Sequence, residues 1–221
     1  CQEETRTIKI TVQSAPGTTT GGGTTGGTTT GNTTTNNAIT TGTNANIYFE
    51  NGTCKCPNAS GGETGEINGV TYTVVGNSGA LSSEIAAGNV NLCTTLITDM
   101  QLLFRNNSSF NSDISFWDTS NVTKMNQMFF NATSFNQDIS GWDVSSVLKM
   151  NEMFYNATSF NQNIASWDTS NVTDMIYMFW VATAFKQDIS GWCVSKIVDE
   201  PYNFSWALTT AQKPVWGRAC D

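Results

Sequence analysis

Two residue types in this chain have the chemistry and the spacing to suggest a reactive site: carboxylates and cysteines. Asp138 and Asp143 form a pair that returns every 25 residues, with Asp118 and Asp168 in the second place and Asn163 replacing one first member. Paired carboxylates can hydrolyse a glycosidic bond or bind calcium. A catalytic site is needed once, however, whereas this pair is written several times. Asx side chains that bond the backbone two residues on account for the pattern more simply. The chain has no His, which removes the commonest general base and the commonest metal ligand. No catalytic residue, metal or cofactor is expected. The cysteines are Cys1, Cys54, Cys56, Cys93, Cys193 and Cys220. None form a Cys-x-x-Cys pair, so disulfides in an oxidising compartment explain them better than zinc.

These residues sit in a repeat, and the repeat defines the elements that must position them. On a period of 25 residues Phe110, Phe135, Phe160 and Phe185 align, and Ile114, Ile139, Ile164 and Ile189 follow. Trp117, Trp142, Trp167 and Trp192 make the next column, and Phe104, Phe129, Phe154, Phe179 and Phe204 the last. An aromatic column of this kind could be a sugar platform, but identical residues stacked coil on coil read as core. "FNQDISGW" suits a short strand running into a turn. "VLKMNEMFYNA" places Val, Met, Met and Phe at i, i+3, i+6 and i+7, which is helical spacing. A short strand plus a short helix in each unit of this length is the leucine-rich-repeat class of solenoid. The expected fold is therefore an α+β repeat solenoid, with a small β-rich N-terminal cap and a disulfide-closed C-terminal cap.

The chain divides into a tail (1–14), a Thr/Gly-rich tether (15–46), an N-terminal cap (47–92), the repeats (93–209) and a C-terminal cap (210–221). The tether is almost all Thr, Gly and Asn and holds too little apolar surface to offset the entropy of ordering it. In the cap, Asn68-Gly69 is a two-residue hairpin signal, and "SGALSSEIAAGN" reads as a helix stopped by Gly88. One of Cys54 and Cys56 could pair with Cys93 to hold the cap on the first coil, with Cys56 favoured. Cys193 stands where other units carry Asp, and a bridge to Cys220 would close a loop worth about 3.5 kcal/mol on the chain-entropy model.

One column stays aromatic while changing identity: Phe130, Tyr155 and Trp180, each directly after the Phe of "MF". If the preceding Phe points inward, these three point outward. Tyr177 and Phe116 are further large residues where other units carry small or polar ones. Exposed apolar rows mark interaction sites, so these five are the candidate binding row.

The recurring "FNQDIS-W-D" and Met-Phe phrases resemble the BspA-like leucine-rich-repeat surface proteins of Bacteroidetes. "NGTCKCPNA" and "PVWGRAC" resemble the first and last segments of flavobacterial members. The resemblance implies a surface-anchored adhesion or binding module and no enzyme. "CQEETR" is similar to the start of a mature bacterial lipoprotein, with Cys1 acylated and Gln2, Glu3 and Glu4 directing export to the outer face of the outer membrane. A net charge of −8 and only ten Lys and Arg argue against nucleic acid as a partner. The expected partner is an outer-membrane protein or complex on which the chain docks as an accessory subunit. The alternative is an external protein or glycan bound by an adhesin.

Overall fold

The computed structural model of the chain describes residues 44–220. The expectations for Cys1, Gln2, Glu3 and Glu4, and for most of the tether, lie outside the described residues. The cap begins with a hairpin of β1 (Tyr48–Glu50) and β2 (Thr53–Lys55), paired antiparallel with Phe49 opposite Cys54. A second hairpin joins β3 (Thr64–Ile67) to β4 (Val70–Val74), with Ile67 opposite Val70. Its turn residues Asn68 and Gly69 have φ of 53° and 79°. Both values fit a turn whose twist matches the flanking strands. Helix α1 (Ser78–Ala86) follows, its N-terminus capped by the Asn77 side chain, which accepts from the Ala80 amide at 2.9 Å. Gly88, at φ 83°, ends it. Strand β5 (Leu92–Cys93) then pairs parallel to β4, which leads the chain into the repeats.

From there the structure departs from the expected solenoid of strands and helices. Residues 94–209 contain turns, bends and isolated bridges, with neither the strand nor the helix expected in each unit. The helical reading fails for a definite reason. In the second coil Met125, Gln127, Phe129 and Asn131 donate their amides to Lys149, Asn151, Met153 and Tyr155 of the next coil, at 2.8–3.0 Å. Those amides are thus donated across the stack, whereas a helix would bond them within the segment. Gln127 and Asn131 also have φ of 57° and 59°, left-handed values that an α-helix excludes. Methionines and phenylalanines at i, i+3, i+6 and i+7 face inward here because consecutive tight turns repeat every few residues. Met128 bonds back to Met125 and Ala132 back to Phe129, at 3.2 and 3.0 Å.

The strand reading of "FNQDISGW" fails because side chains carry that ladder. Asn111 Oδ1 accepts from the Asn136 amide at 2.9 Å, and Gln137 Nε2 donates to the Asn111 carbonyl at 2.8 Å. The same arrangement returns one coil later through Asn136, Asn161 and Gln162. Side-chain amides thus stand in for backbone pairing.

Aromatic stacks fill the interior. Phe104, Phe129, Phe154 and Phe179 lie with ring centroids 5.4–5.5 Å apart in successive coils. Phe110, Phe135, Phe160 and Phe185 are spaced at 5.8 Å. The tryptophans of the repeat column, Trp117, Trp142, Trp167 and Trp192, are core, and the indole N–H of each is satisfied. Trp142, Trp167 and Trp192 donate to the carbonyls of Ile114, Ile139 and Ile164, at 3.0–3.2 Å. Trp117 donates to Val90 in the cap. At the far end Phe204 turns edge-on to Phe179, and Trp216 packs edge-on against Phe204. Gln212 bonds back to Ile189 and Lys186, and Cys193 is joined to Cys220.

The cap is bonded to the first coil by Cys54, which is disulfide-linked to Cys93; Cys56, favoured for that role from the sequence, is a buried free thiol. The register of β2 on β1 puts Cys54 opposite Phe49, and the Cys54 amide donates to the Phe116 carbonyl at 2.8 Å, anchoring this residue against the repeats. Cys56 instead donates its amide to Thr95 Oγ1 at 3.0 Å. Burial pushes its thiol above the ordinary range, which keeps it protonated. Between the two cysteines, Lys55 reaches Asp118, whose side chain is 2% exposed, at 2.9 Å. Burial alone would raise the Asp118 carboxyl, but the Lys55 ammonium and the Ser120 hydroxyl outweigh it and hold it below the usual carboxylate range.

A carboxyl depressed on folding stabilises the fold above its unfolded value near ~4, and that contribution is lost as pH falls through the folded value. Replacing Lys55 with Met should lower stability at pH 7 by about 3 kcal/mol, because Asp118 is left buried without its counter-charge. Urea denaturation from pH 7 down to pH 3 should show the gap between variant and parent closing as Asp118 protonates.

Candidate functional site

The turns that build each coil also set the outer face. With Phe129, Phe154 and Phe179 fully buried, the residues after them are thrown outward. Phe130 and Tyr155 stack face to face at 4.6 Å, and the Arg105 guanidinium lies 4.9 Å from the centre of the Phe130 ring. Trp180 does not continue that stack. Tyr177 comes between, edge-on to both Tyr155 at 6.1 Å and Trp180 at 6.2 Å. Two further rings complete the band: Tyr202 lies 5.3 Å from Tyr177, and Trp206 lies 5.1 Å from Trp180, both edge-on. Tyr202 is 67% exposed and Trp206 64% exposed, whereas Phe130, Tyr155, Tyr177 and Trp180 are half-buried.

Phe116 is not part of this band. It packs with Phe49 at 6.1 Å and Tyr72 at 5.7 Å, because the first coil turns that face toward the cap hairpins. Tyr202, Trp206 and Arg105 were missed in the sequence. Tyr202 stands one period after Tyr177, and Arg105 one period before Phe130, so the columns themselves carry a signal for both. Trp206 falls in the column of Asn106, Asn131 and Asn156, one place off the aromatic column, in a coil whose phrase has decayed.

The band changes character toward its C-terminal end. In the earlier coils Asn131 donates to Asn106 and Asn156 to Asn131, at 2.9 and 3.0 Å, a ladder of side-chain amides. Val181 breaks it. It holds the same left-handed backbone, φ 59°, that Asn106, Asn131 and Asn156 occupy at 53–63°. Asn tolerates this conformation and a β-branched residue does not. Tyr177, at φ 57°, takes the place of Gln127 and Glu152 at another left-handed position. Its phenol is pushed up by partial burial and by the neighbouring Tyr202 phenol, so it remains a neutral hydrogen-bonding group.

Beside Tyr202 is a hollow of about 370 Å³ lined by Lys149, Asp174, Ile176, Ile197, Pro201 and Tyr202. Lys149 Nζ and Asp174 Oδ2 face each other across 3.7 Å, a loose pair with both side chains partly exposed.

The repeated carboxylates are engaged elsewhere. Asp138, Asp168 and Asp188 accept from the amides of Ser140, Ser170 and Ser190 at 2.9–3.0 Å. These serine hydroxyls and amides hold all three carboxyls below the usual range. They are Asx turns, and Asn163 makes the same turn with Ala165. Among the described residues, no group of three or more His, Cys, Asp or Glu side chains is placed to hold a metal ion.

The fold and this outer face define a repeat protein of turn-built coils carrying an aromatic band. Residues 83–216, more than half of the chain, match the family described as "Mycoplasma protein of unknown function, DUF285", and the chain belongs to that family. No curated protein and no solved structure matches it.

Replacing Val181 with Asn should raise stability by about 1 kcal/mol, by relieving the left-handed β-branched residue and extending the amide ladder from Asn156. The shift in urea midpoint at unchanged m-value measures it.

Proposed function

We propose that this chain is a non-catalytic binding module displayed on the outer face of the outer membrane. The observation that carries this reading is the band ending in Tyr202 and Trp206, two large aromatic residues about two-thirds exposed at one end of the stack. Trp and Tyr are the residues most enriched where binding energy concentrates. The engagement of the repeated carboxylates in turns supports a role without catalysis. The resemblance to BspA-like surface proteins supports a binding role, and Cys1, Gln2, Glu3 and Glu4 support lipid anchoring. Of the two partner classes, an external ligand is favoured, since the Tyr202 and Trp206 end of the band is open to solvent among the described residues. Docking as an accessory subunit on an outer-membrane complex depends on the tail and tether, of which residues 1–43 lie outside the described residues.

Beads coated with the full chain should adhere to surfaces carrying mucin, collagen or crude polysaccharide. The Tyr202→Ala/Trp206→Ala double variant should lose at least tenfold of that adhesion with an unchanged melting temperature. Equal retention by parent and variant, or none by the parent on any surface, would contradict the reading. Separately, Cys1→Ser should remove the protein from the outer-membrane fraction and from surface labelling; a variant that is still surface-labelled argues against the anchor.

A further inference from the structure

The C-terminal end of the band combines several departures from the repeat in one place. Tyr177 and Tyr202 stand in the column of Gln127 and Glu152, and Val181 and Trp206 in that of Asn106, Asn131 and Asn156; Val181 puts a β-branched side chain on the left-handed backbone that those asparagines suit. Strain of this kind persists where surrounding structure enforces it, and it gathers at functional positions. The ring geometry differs as well. Phe130 and Tyr155 use their faces on each other, with planes 10° apart, and offer mainly edges. At the C-terminal end the pairs are edge-on, at 89° for Tyr177 with Tyr202 and 80° for Trp180 with Trp206, and the two outermost rings stay open.

Size limits the occupant. At ~4.8 Å per coil the band is only about 20 Å long and one or two side chains wide. That is a few hundred Å², well short of the ~800 Å² per partner of a stable protein–protein interface. A second copy of this chain or a large docking protein would need much more surface, so the site suits a linear ligand. Charge narrows it further. The hollow beside Tyr202 presents one ammonium, Lys149, and one carboxylate, Asp174, and is therefore neutral overall within an acidic chain. A donor and an acceptor 3.7 Å apart match adjacent hydroxyl groups on a ring. Neither an anionic nor a cationic ligand gains from that pair. The open aromatic faces match the C–H face of the same ring.

We propose that Tyr202, Trp206 and the Lys149–Asp174 hollow form a saccharide site, taking a short stretch of a neutral glycan chain. Trp206 and Tyr202 supply the stacking faces, Asp174 and Lys149 bond the hydroxyls, and Tyr177 contributes a neutral phenol. This rests on the binding-module reading above and specifies its ligand.

The test is calorimetric titration of the full chain with hexasaccharides of glucose, mannose, xylose, galactose and N-acetylglucosamine. At least one should bind saturably. Trp206→Ala and Asp174→Asn should each weaken it tenfold or more, and Trp206→Phe should recover part of the loss. Val215→Ala, at an exposed position outside the hollow, should leave it unchanged. No saturable heat from any of the five at millimolar concentration overturns the proposal, as does an unaffected Trp206→Ala variant. Adhesion to deglycosylated mucin or collagen that is lost in the Tyr202→Ala/Trp206→Ala variant, with no hexasaccharide binding, overturns the saccharide inference alone and leaves the binding module standing.

Discussion

The rest of the structure depends on where the backbone amides of residues 125–131 and their equivalents point. In three successive coils four alternate amides are donated to carbonyls of the next coil instead of back along the chain, and Tyr177 and Phe179 continue the pattern in the fourth. This sets the coil-to-coil separation, and the separation brings the phenylalanine rings to 5.4–5.8 Å. It also leaves each coil incomplete without a neighbour, since the donated amides and the apolar columns both need the next unit. Hence the cost of the two ends. At one, Trp117 bonds Val90 and the Cys54–Cys93 bridge holds the cap hairpin on. At the other, Gln212 and the Cys193–Cys220 bridge close the stack.

The ladder also explains the outer surface. Sending alternate amides across coils requires left-handed residues at Gln127 and Asn131 and at their counterparts. Such positions favour Asn, and the amide ladder through Asn106, Asn131 and Asn156 is the result. Between those positions the side chains after Phe129, Phe154 and Phe179 have nowhere to go but outward. An aromatic band is therefore permitted by the fold, while its composition is not dictated by it. Val181 and Tyr177 hold conformations the fold imposes with residues poorly suited to them, which separates the demands of the surface from those of the stack.

Much of this was legible in the sequence, and the limits have physical causes. The core columns could be read because burial repeats with the period, as Phe135, Ile139 and Trp142 show. The hairpin over residues 64–74 could be read because Asn68-Gly69 has few other uses. The secondary structure of the repeat could not. Apolar residues at i, i+3, i+6 and i+7 signal a helix only if amides bond within the segment, and periodicity carries no information on that point. The cysteine partner failed similarly: Cys54 and Cys56 are two apart on one chain segment, and the packing of β2 against β5, which carries Cys93, decides between them. Phe116 was legible as unusual but not as cap-facing, because the cap's position was unknown. The aromatic column through Phe130, Tyr155 and Trp180 was visible, yet its most exposed members lie where the repeat phrase decays.

These coils are held by amides donated from one coil to the next. NMR detection of through-hydrogen-bond couplings between amide nitrogen and carbonyl carbon reads out each of these donations. Cross-peaks are expected from Gln127, Phe129 and Asn131 to Asn151, Met153 and Tyr155. Cross-peaks from those amides to carbonyls four residues earlier in the same segment would mean helices after all, and would contradict that arrangement.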